Sequence, residues 1–398
     1  MPNAARKRPD IPFNKAIFKW ARERHRRSHE ETAKRVGVTP QKIIEWEDEK
    51  GPAKPTILQA RKLADIYERP FLEFFAKQVP DVAEPDLVPD FRMHRDAIPD
   101  QSGGLLQIQS WAETHRLNAI DLFEILGDAP PVFPDALYGD VGMQASVAAA
   151  RARVALDFPI EEQTNLGSVD RVRLPTIIRE KLEGGGIIVL KNGDLKRFGA
   201  RGVCIFAVPL PVIVFGNEAP GAQAFTLAHE LGHVILRQSA ISGALPPRNS
   251  VGAGAAIEKW CNEFAGAFLV PERDLERFMA RPRIPAADIS DNLVATLAAR
   301  FGISRHAMLV RLVTLGYVQS EYYWRVKRQQ FIIEEDEYEA GGRAKYYGSR
   351  YRSSSGDLYT GLVLEAWSTG RITNHNAAEF MGIKNLAHLF DIRSNFGG

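Results

Sequence analysis

The run Thr226-Leu-Ala-His-Glu-Leu-Gly-His-Val234 decides how this chain is read, because it sets His-Glu-x-x-His inside a helical pattern. On a helix, His229 and His233 differ by about 40° in azimuth and about 6 Å in rise, so both imidazoles reach one cation. Glu230 lies one residue round from His229. Its carboxylate then sits beside the cation, where it can take a proton from a water held there. The implied chemistry is zinc-assisted hydrolysis of a peptide bond. The chain has nine histidines, and at its His and Glu frequencies the pattern would arise by chance in roughly one such chain in a hundred. The bland alternative is an amphipathic helix whose two histidines happen to share a face, and the context weakens it. Residues 222–236 form an apolar-rich helical pattern without Pro, Pro220-Gly221 is a start signal, and Gly232 is small enough for another backbone to come close.

Catalytic zinc needs a third protein ligand and an open position. Ile257-Glu-Lys-Trp-Cys-Asn-Glu-Phe-Ala265 reads as a helix, with Ile257, Trp260, Cys261, Phe264 and Phe268 on an apolar stripe. Glu258 and Asn262 are one turn apart on the flank of that stripe, so a ligand carboxylate and an amide that steadies a histidine can come from one face. Glu263 competes for the ligand role, but it lies about 140° round the helix from Glu258, so the two cannot serve one site together. Cys261 falls on the stripe rather than beside Glu258.

These residues resemble a known family. Phe225-Thr-Leu-Ala-His-Glu-Leu-Gly-His-Val-Ile-Leu236, then Glu258-x-x-x-Asn262-x-Phe264-Ala265 and Phe268-Leu-Val-Pro271, are similar to the ImmA/IrrE zinc metallopeptidases. Pro211-Val-Ile-Val-Phe-Gly-Asn217 and Asp90-Phe-Arg92 resemble the longer members, which carry an N-terminal helix-turn-helix. The resemblance runs from about residue 14 to the last 60 residues and is strongest over 203–271. It implies a gluzincin-like site in which His229, His233 and Glu258 bind Zn2+ and Glu230 is the general base. It also implies a protein substrate of repressor or antitoxin type, cleaved in a stress, mobile-element or phage response.

The 398 residues should make two or three domains, and 45% hydrophobic with 25% charged residues is ordinary for a globular protein. No apolar run approaches a membrane span, and the basic start Met1-Pro-Asn-Ala-Ala-Arg-Lys-Arg8 lacks the apolar stretch of a signal peptide, so a cytoplasmic protein without membrane contact is expected. Cys204 and Cys261, the only cysteines, read as reduced core thiols.

Charge concentrates at the N-terminus, where residues 1–30 hold nine Lys or Arg against three acids. The adjoining segment reads helix, turn, helix. Glu30–Val36 comes first, with Ser28 as its cap and Ser28-x-x-Glu31 in capping-box spacing; Gly37 turns, and Thr39-Pro40 opens a helix to about Glu49. Helices at Thr56–Tyr67 and Pro70–Lys77 complete a segment that resembles an XRE-type repressor domain, supported by Trp46-Glu47 and Pro55-Thr56. In that motif the second helix enters the major groove, and Gln41, Lys42 and Glu45 hold its base-reading places, so residues 28–50 are the candidate contact with double-stranded DNA. His29 stands where such domains usually carry Gln, and Glu45, Glu47, Asp48 and Glu49 form an acidic cluster that repels phosphate. A protein-docking or dimerising role, with the chain as a homodimer, is the other reading of these residues. Arg24, Arg26 and Arg27 fit a phosphate clamp or a solvated face equally well.

The expected fold is a multidomain α+β protein: an all-helical XRE-like domain (1–78), a Pro- and Asp-rich linker with a helical connector (79–139), a zincin-like core with a small sheet (140–285), and a helical C-terminal extension (286–398). Helices are expected at 104–126, 142–155 and 168–183. A strand comes next at 187–190, then a hairpin of 203–208 and 212–215, one strand of which should line the cleft as an open edge that pairs with substrate. After helices at 272–280 and 291–317, Leu297-Ala-Ala-Arg-Phe-Gly-Ile-Ser-Arg-His306 also resembles a helix-turn-helix, although its apolar spacing suits a plain hairpin packed on the core, with His306 on the surface. Residues 335–356 read as loop, and Arg343–Arg352 as a basic and aromatic mix open to either nucleic acid or packing. Tyr359–Trp367, 376–380 and 385–391 read as helices.

Overall fold

In the computed structural model, the described residues are 12–80, 103–243, 253–279, 290–338 and 346–396, apart from residues 26, 68, 70, 168 and 169. Asp90-Phe-Arg92, most of the Pro- and Asp-rich linker, Gly341-Gly342 and the cations Arg6, Lys7, Arg8 and Arg26 lie outside them. The chain divides into two compact units, one reaching to about residue 107 and one holding the rest.

The first unit is helical: α1 (Lys15–Arg24), α2 (His29–Val36), α3 (Pro40–Glu47), α4 (Ile57–Ile66) and a single 3-10 turn at Phe71–Phe75. Ser28 caps α2 by accepting from the Glu31 amide, but the Glu31 side chain does not close the box; it pairs with Arg27, which is buried. Arg27 is therefore not a phosphate clamp. Gly37 turns in the left-handed region with φ of 86°, where a Cβ would be strained, and Pro40 starts α3. Phe18, Ile43, Trp46, Leu63, Tyr67 and Phe74 fill the core. The acidic cluster at the end of α3 is smaller than expected. Glu47 points inward and takes a two-pronged bond from Arg22, 2.8 and 2.9 Å, which leaves Glu45, Asp48 and Glu49 outside.

His25, at the end of α1, is buried; desolvation, and then Arg27, Arg69 and Arg24 around it, hold its pKa down to about 4. Unfolded, it would titrate near 6.5. Between those values the unfolded chain binds a proton that the folded unit does not, so the unit loses stability as pH falls through that window. Amide exchange in α1–α4, corrected for intrinsic rate, should be faster at pH 5 than at pH 7, and His25→Gln should remove much of the difference. Equal protection in the wild type at both pH values would contradict this assignment.

The second unit is α+β. It contains α5 (Gly104–Leu126) from residue 108 on, α6 (Ala145–Ala155), α7 (Ile160–Thr164) and α8 (Leu174–Gly184). Strands β1 (Ile188–Lys191), β2 (Gly202–Ile205) and β3 (Val212–Phe215) lead to α9 (Pro220–Ile235), β4 (Ala240–Ser242) and α10 (Ala253–Leu269). The four strands lie in the order β1-β3-β2-β4, with β1 parallel to β3 and the other pairings antiparallel. Both hairpin strands, β2 and β3, are thus flanked on each side, and neither is the open edge expected from the sequence. The edge beside α9 belongs to β4, which pairs Gly202 with Ser242.

One face of the sheet is covered by α9, with α8 beside it; α10 crosses α9, and α6 packs on α10. The two central helices meet at Gly232, where a Cβ would lie 3.2 Å from Cys261 Sγ and 3.3 Å from Cys261 Cα. This is the close backbone approach that a small residue there permits. Cys204 and Cys261 are buried, and burial pushes both thiols well up.

Beyond α10 come α11 (Glu272–Phe278), α12 (Asp291–Phe301) and α13 (Arg305–Thr314), then the short turn α14 (Ser320–Tyr322) leading through a π-turn into α15 (Arg328–Asp336). Four more helices complete the unit: α16 (Tyr347–Ser355), α17 (Asp357–Ser368), α18 (Asn374–Phe380) and α19 (Leu386–Phe396). Residues 347–355, inside the 335–356 stretch that reads as loop, form helix α16. Tertiary anchors explain why: Arg179 on α8 donates to Ser353 O at 2.6 Å, and Glu183 accepts from the Asp357 and Leu358 amides, both at 3.0 Å, supplying the start of α17. Among the described residues no single helix is long and apolar enough to cross a membrane. The α12–α13 pair has the length and composition but bends by 101°, and its apolar residues belong to the core.

Candidate metal centre

Because α9 presents positions four apart on one face, His229 and His233 come together, with their Nε2 atoms 3.2 Å apart. The crossing helix α10 brings Glu258 to the same point. Its Oε2 is 3.4 Å from His229 Nε2 and its Oε1 is 3.1 Å from His233 Nε2. Glu263 is not part of this cluster; it is half-exposed and 3.9 Å from Lys259 Nζ. Cys261 is occupied by the helix contact at Gly232.

His229 Nδ1 lies 3.1 Å from Asn262 Oδ1. An amide oxygen only accepts, so Nδ1 carries the proton and the Nε2 lone pair faces the other two ligands. Two imidazoles and a carboxylate converging within 4.8 Å are a donor set that fits a catalytic divalent cation of the zinc type. Burial pushes Glu258 up, but the two histidines beside it outweigh that and bring it down to about 2.

Glu230 is fully buried, and neither carboxylate oxygen has a hydrogen-bond partner among the described residues. Desolvation pushes its pKa up to about 8, although His229 and the Ser242 hydroxyl close by act the other way. Room for the carboxylate exists because position 202 has no side chain. A Cβ there would lie 2.1 Å from Glu230 Oε1 and 2.6 Å from its Cδ.

A narrow cleft lies over these residues, and its other walls include Arg201, Phe225, Ser242, His306, Val310 and Glu335. Sequence reasoning missed Gly202, Ser242, His306 and Glu335. His306 is not a surface residue: α15 covers it, with Nδ1 2.7 Å from Glu335 Oε1 and Nε2 2.8 Å from the Tyr323 hydroxyl. Glu335 also pairs with Arg201, whose Nε is 3.4 Å from Glu218 Oε1. Burial raises Glu335, but His306 and Arg201 bring it down to about 2. The tyrosines at 347, 351 and 359 do not line this cleft.

In the first unit, Gln41 and Lys42 are exposed on α3 and Glu45 is half-exposed, with Lys42 Nζ 2.6 Å from Glu45 Oε2. The ion pair ties Lys42 to its neighbour on the same face. His29 lies 3.2 Å from buried Glu47.

Residues 190–313 match the model of the Peptidase_M78 family, described as the IrrE N-terminal-like domain. That stretch holds β2 through α12 and carries His229, Glu230, His233, Glu258 and Asn262. No curated protein matches the chain. The match and the buried His-His-Glu cluster together make this segment metallopeptidase-like.

Proposed function

We propose that the chain is a zinc-dependent endopeptidase acting on a regulatory protein of repressor or antitoxin type, in a stress, mobile-element or phage response. The observation that carries this reading is the unpartnered carboxylate of Glu230 beside a convergent His229, His233 and Glu258. When bound, zinc supplies a Lewis acid for the scissile carbonyl and lowers the pKa of a water. Glu230 would take the proton of the attacking water and return it to the leaving amine, a role its buried carboxylate beside the three ligands can serve. Asn262 fixes the His229 ring in the tautomer that offers Nε2. Gly202 and Ser242 seat Glu230 from the sheet side, and β4 is the strand nearest the cleft for a substrate main chain to follow. The α2–α3 hairpin, with Gln41, Lys42 and Glu45 outward, would bring the enzyme to its target through double-stranded DNA or a protein partner, including a second copy of the chain.

Glu230→Gln keeps the shape and removes the base. Its zinc content should equal the wild type's, and turnover should fall by roughly 10²–10⁴-fold. Since the substrate is not identified, the readout is the set of new protein N-termini in cells producing either form. Termini present only with the wild type are expected. Identical sets would leave the chain a transcription regulator whose metal domain is sensory or structural.

A further inference from the structure

One local pattern occurs three times among the described residues. Ala33-x-x-x-Gly37-Val38, Ala298-x-x-x-Gly302-Ile303 and Ala378-x-x-x-Gly382-Ile383 each place a buried alanine on a first helix and a left-handed glycine four residues on, with φ of 86°, 68° and 63°. An apolar residue then turns inward and a second helix begins, headed by Thr39, Ser304 or Asn385. The small alanine lets the second helix cross close to the first, and the glycine reverses the chain without a Cβ penalty, as a helix-turn-helix requires.

The three copies differ in what their second helix is free to do. In the middle copy, α13 buries His306, Ala307, Met308, Leu309 and Leu312 against α10 and α15, so it cannot enter a groove. In the first copy α3 is accessible, but Glu30, Asp48 and Glu49 are exposed among Lys34, Arg35, Lys42 and Lys50. In the last copy, α19 buries only Leu389 and Ile392. Its start exposes Lys384, Asn385, Leu386 and Ala387, and Phe390 and Arg393 are exposed one and two turns further on. Over 370–396 the exposed ionic side chains are Arg371, Lys384 and Arg393 against Glu379 alone; Asp391 is half-buried and accepts from the Gly348 amide at 2.7 Å.

We infer that the α18–α19 hairpin is a second nucleic-acid-binding element, with α19 entering the major groove of double-stranded DNA. Charge decides between DNA and a protein as occupant. This is the hairpin whose exposed cations outnumber its exposed acids most clearly, which suits phosphate. Ala387 on the first turn of α19 offers a methyl for thymine, while Asn385 spends its Oδ1 on the Ala387 amide, 3.0 Å, and keeps its NH2 as a donor; Asn374 and Asn376 on α18, whose oxygens accept from Trp367 and Thr373, have NH2 groups that can donate to phosphate oxygens.

The test uses the full chain and a random-sequence 40-bp duplex pool, titrated at several salt concentrations. Lys384→Glu with Arg393→Glu should weaken binding tenfold or more and flatten the dependence of log K on log salt by about 2, since each phosphate contact contributes about 0.9. The neutral pair K384Q and R393Q should give a smaller loss in the same direction, with an unchanged thermal transition as the control for folding. Binding that does not respond to either pair, or a wild type that does not hold the duplex, overturns the inference. So does a dimer in sedimentation that Phe390→Ser dissolves while duplex affinity stays put, since the face would then belong to a second copy. Lys42→Glu on α3, measured alongside, reports the N-terminal hairpin separately.

Discussion

A Glu258→Ala chain is expected to purify without zinc, while the wild type and Glu263→Ala each carry one ion per chain. Glu258 is the carboxylate whose two oxygens reach toward both histidines, at 3.4 and 3.1 Å, and a catalytic zinc site rests on three protein ligands. Removing it leaves two imidazoles on one helix. Glu263 faces outward beside Lys259, so its loss should be neutral for metal. Asn262→Ala should fall between the two: the ligands stay, but the hydrogen bond that fixes the His229 ring goes, and such losses typically cost 10–100-fold in affinity. Elemental analysis after dialysis, with a competing chelator to rank affinities, reads all three. A wild type that stays empty after reconstitution with zinc would defeat the peptidase mechanism; an empty Glu263→Ala protein would move the third ligand.

Gly202→Ala, one methyl group on a strand, should be nearly as damaging to turnover as losing the base itself. The added Cβ would fall 2.1 Å from Glu230 Oε1, far inside contact distance. Gly202 cannot retreat, because β2 is hydrogen-bonded to β3 on one side and β4 on the other. The side chain of Glu230 must give way, and it is fully enclosed. A displacement of about 1 Å at a reacting group costs on the order of 10²-fold, so kcat should drop by about that much with KM little changed. Strain of about 1–3 kcal/mol should also lower the melting temperature. Zinc content is the discriminating control, since the three ligands are not touched. If Gly202→Ala cleaves at the wild-type rate, the carboxylate does not work from the position it occupies here.

The parts of this site that share a helix are legible in the sequence. His229, Glu230 and His233 come from the period of α9, and Glu258 with Asn262 from the period of α10, because helical spacing is a local property. Gly202, Ser242, His306 and Glu335 reach the cleft through strand register and helix packing, which no local pattern encodes. β4 has three residues, too few for an alternation to register. The β2–β3 run reads as a hairpin, but its neighbours β1 and β4 come from before and after it in the chain, so its interior position is invisible locally. His306 reads as a surface residue because it lies just past the Ser304 cap; α15, which buries it, is about 25 residues on. The helix at 347–355 is polar enough to read as loop, and it is held down by α8 through Arg179. In the first unit, Glu47 reads as a surface acid because its partner Arg22 sits on another helix.

The anchoring of α16 and α17 by Arg179 and Glu183 bears on where this enzyme-like region ends. The family-matched window opens inside β1, at residue 190, and closes at 313. It therefore leaves out α8, which covers one side of α9, together with α15, which walls the cleft through Glu335. Cut at those limits, the segment would lose half of an edge strand, bare one side of the helix that carries both histidines and strip His306 of its carboxylate. The match thus outlines a run of similar residues rather than a separable module, and the smallest piece of this chain that keeps its candidate metal site walled in is wider than the window that matches.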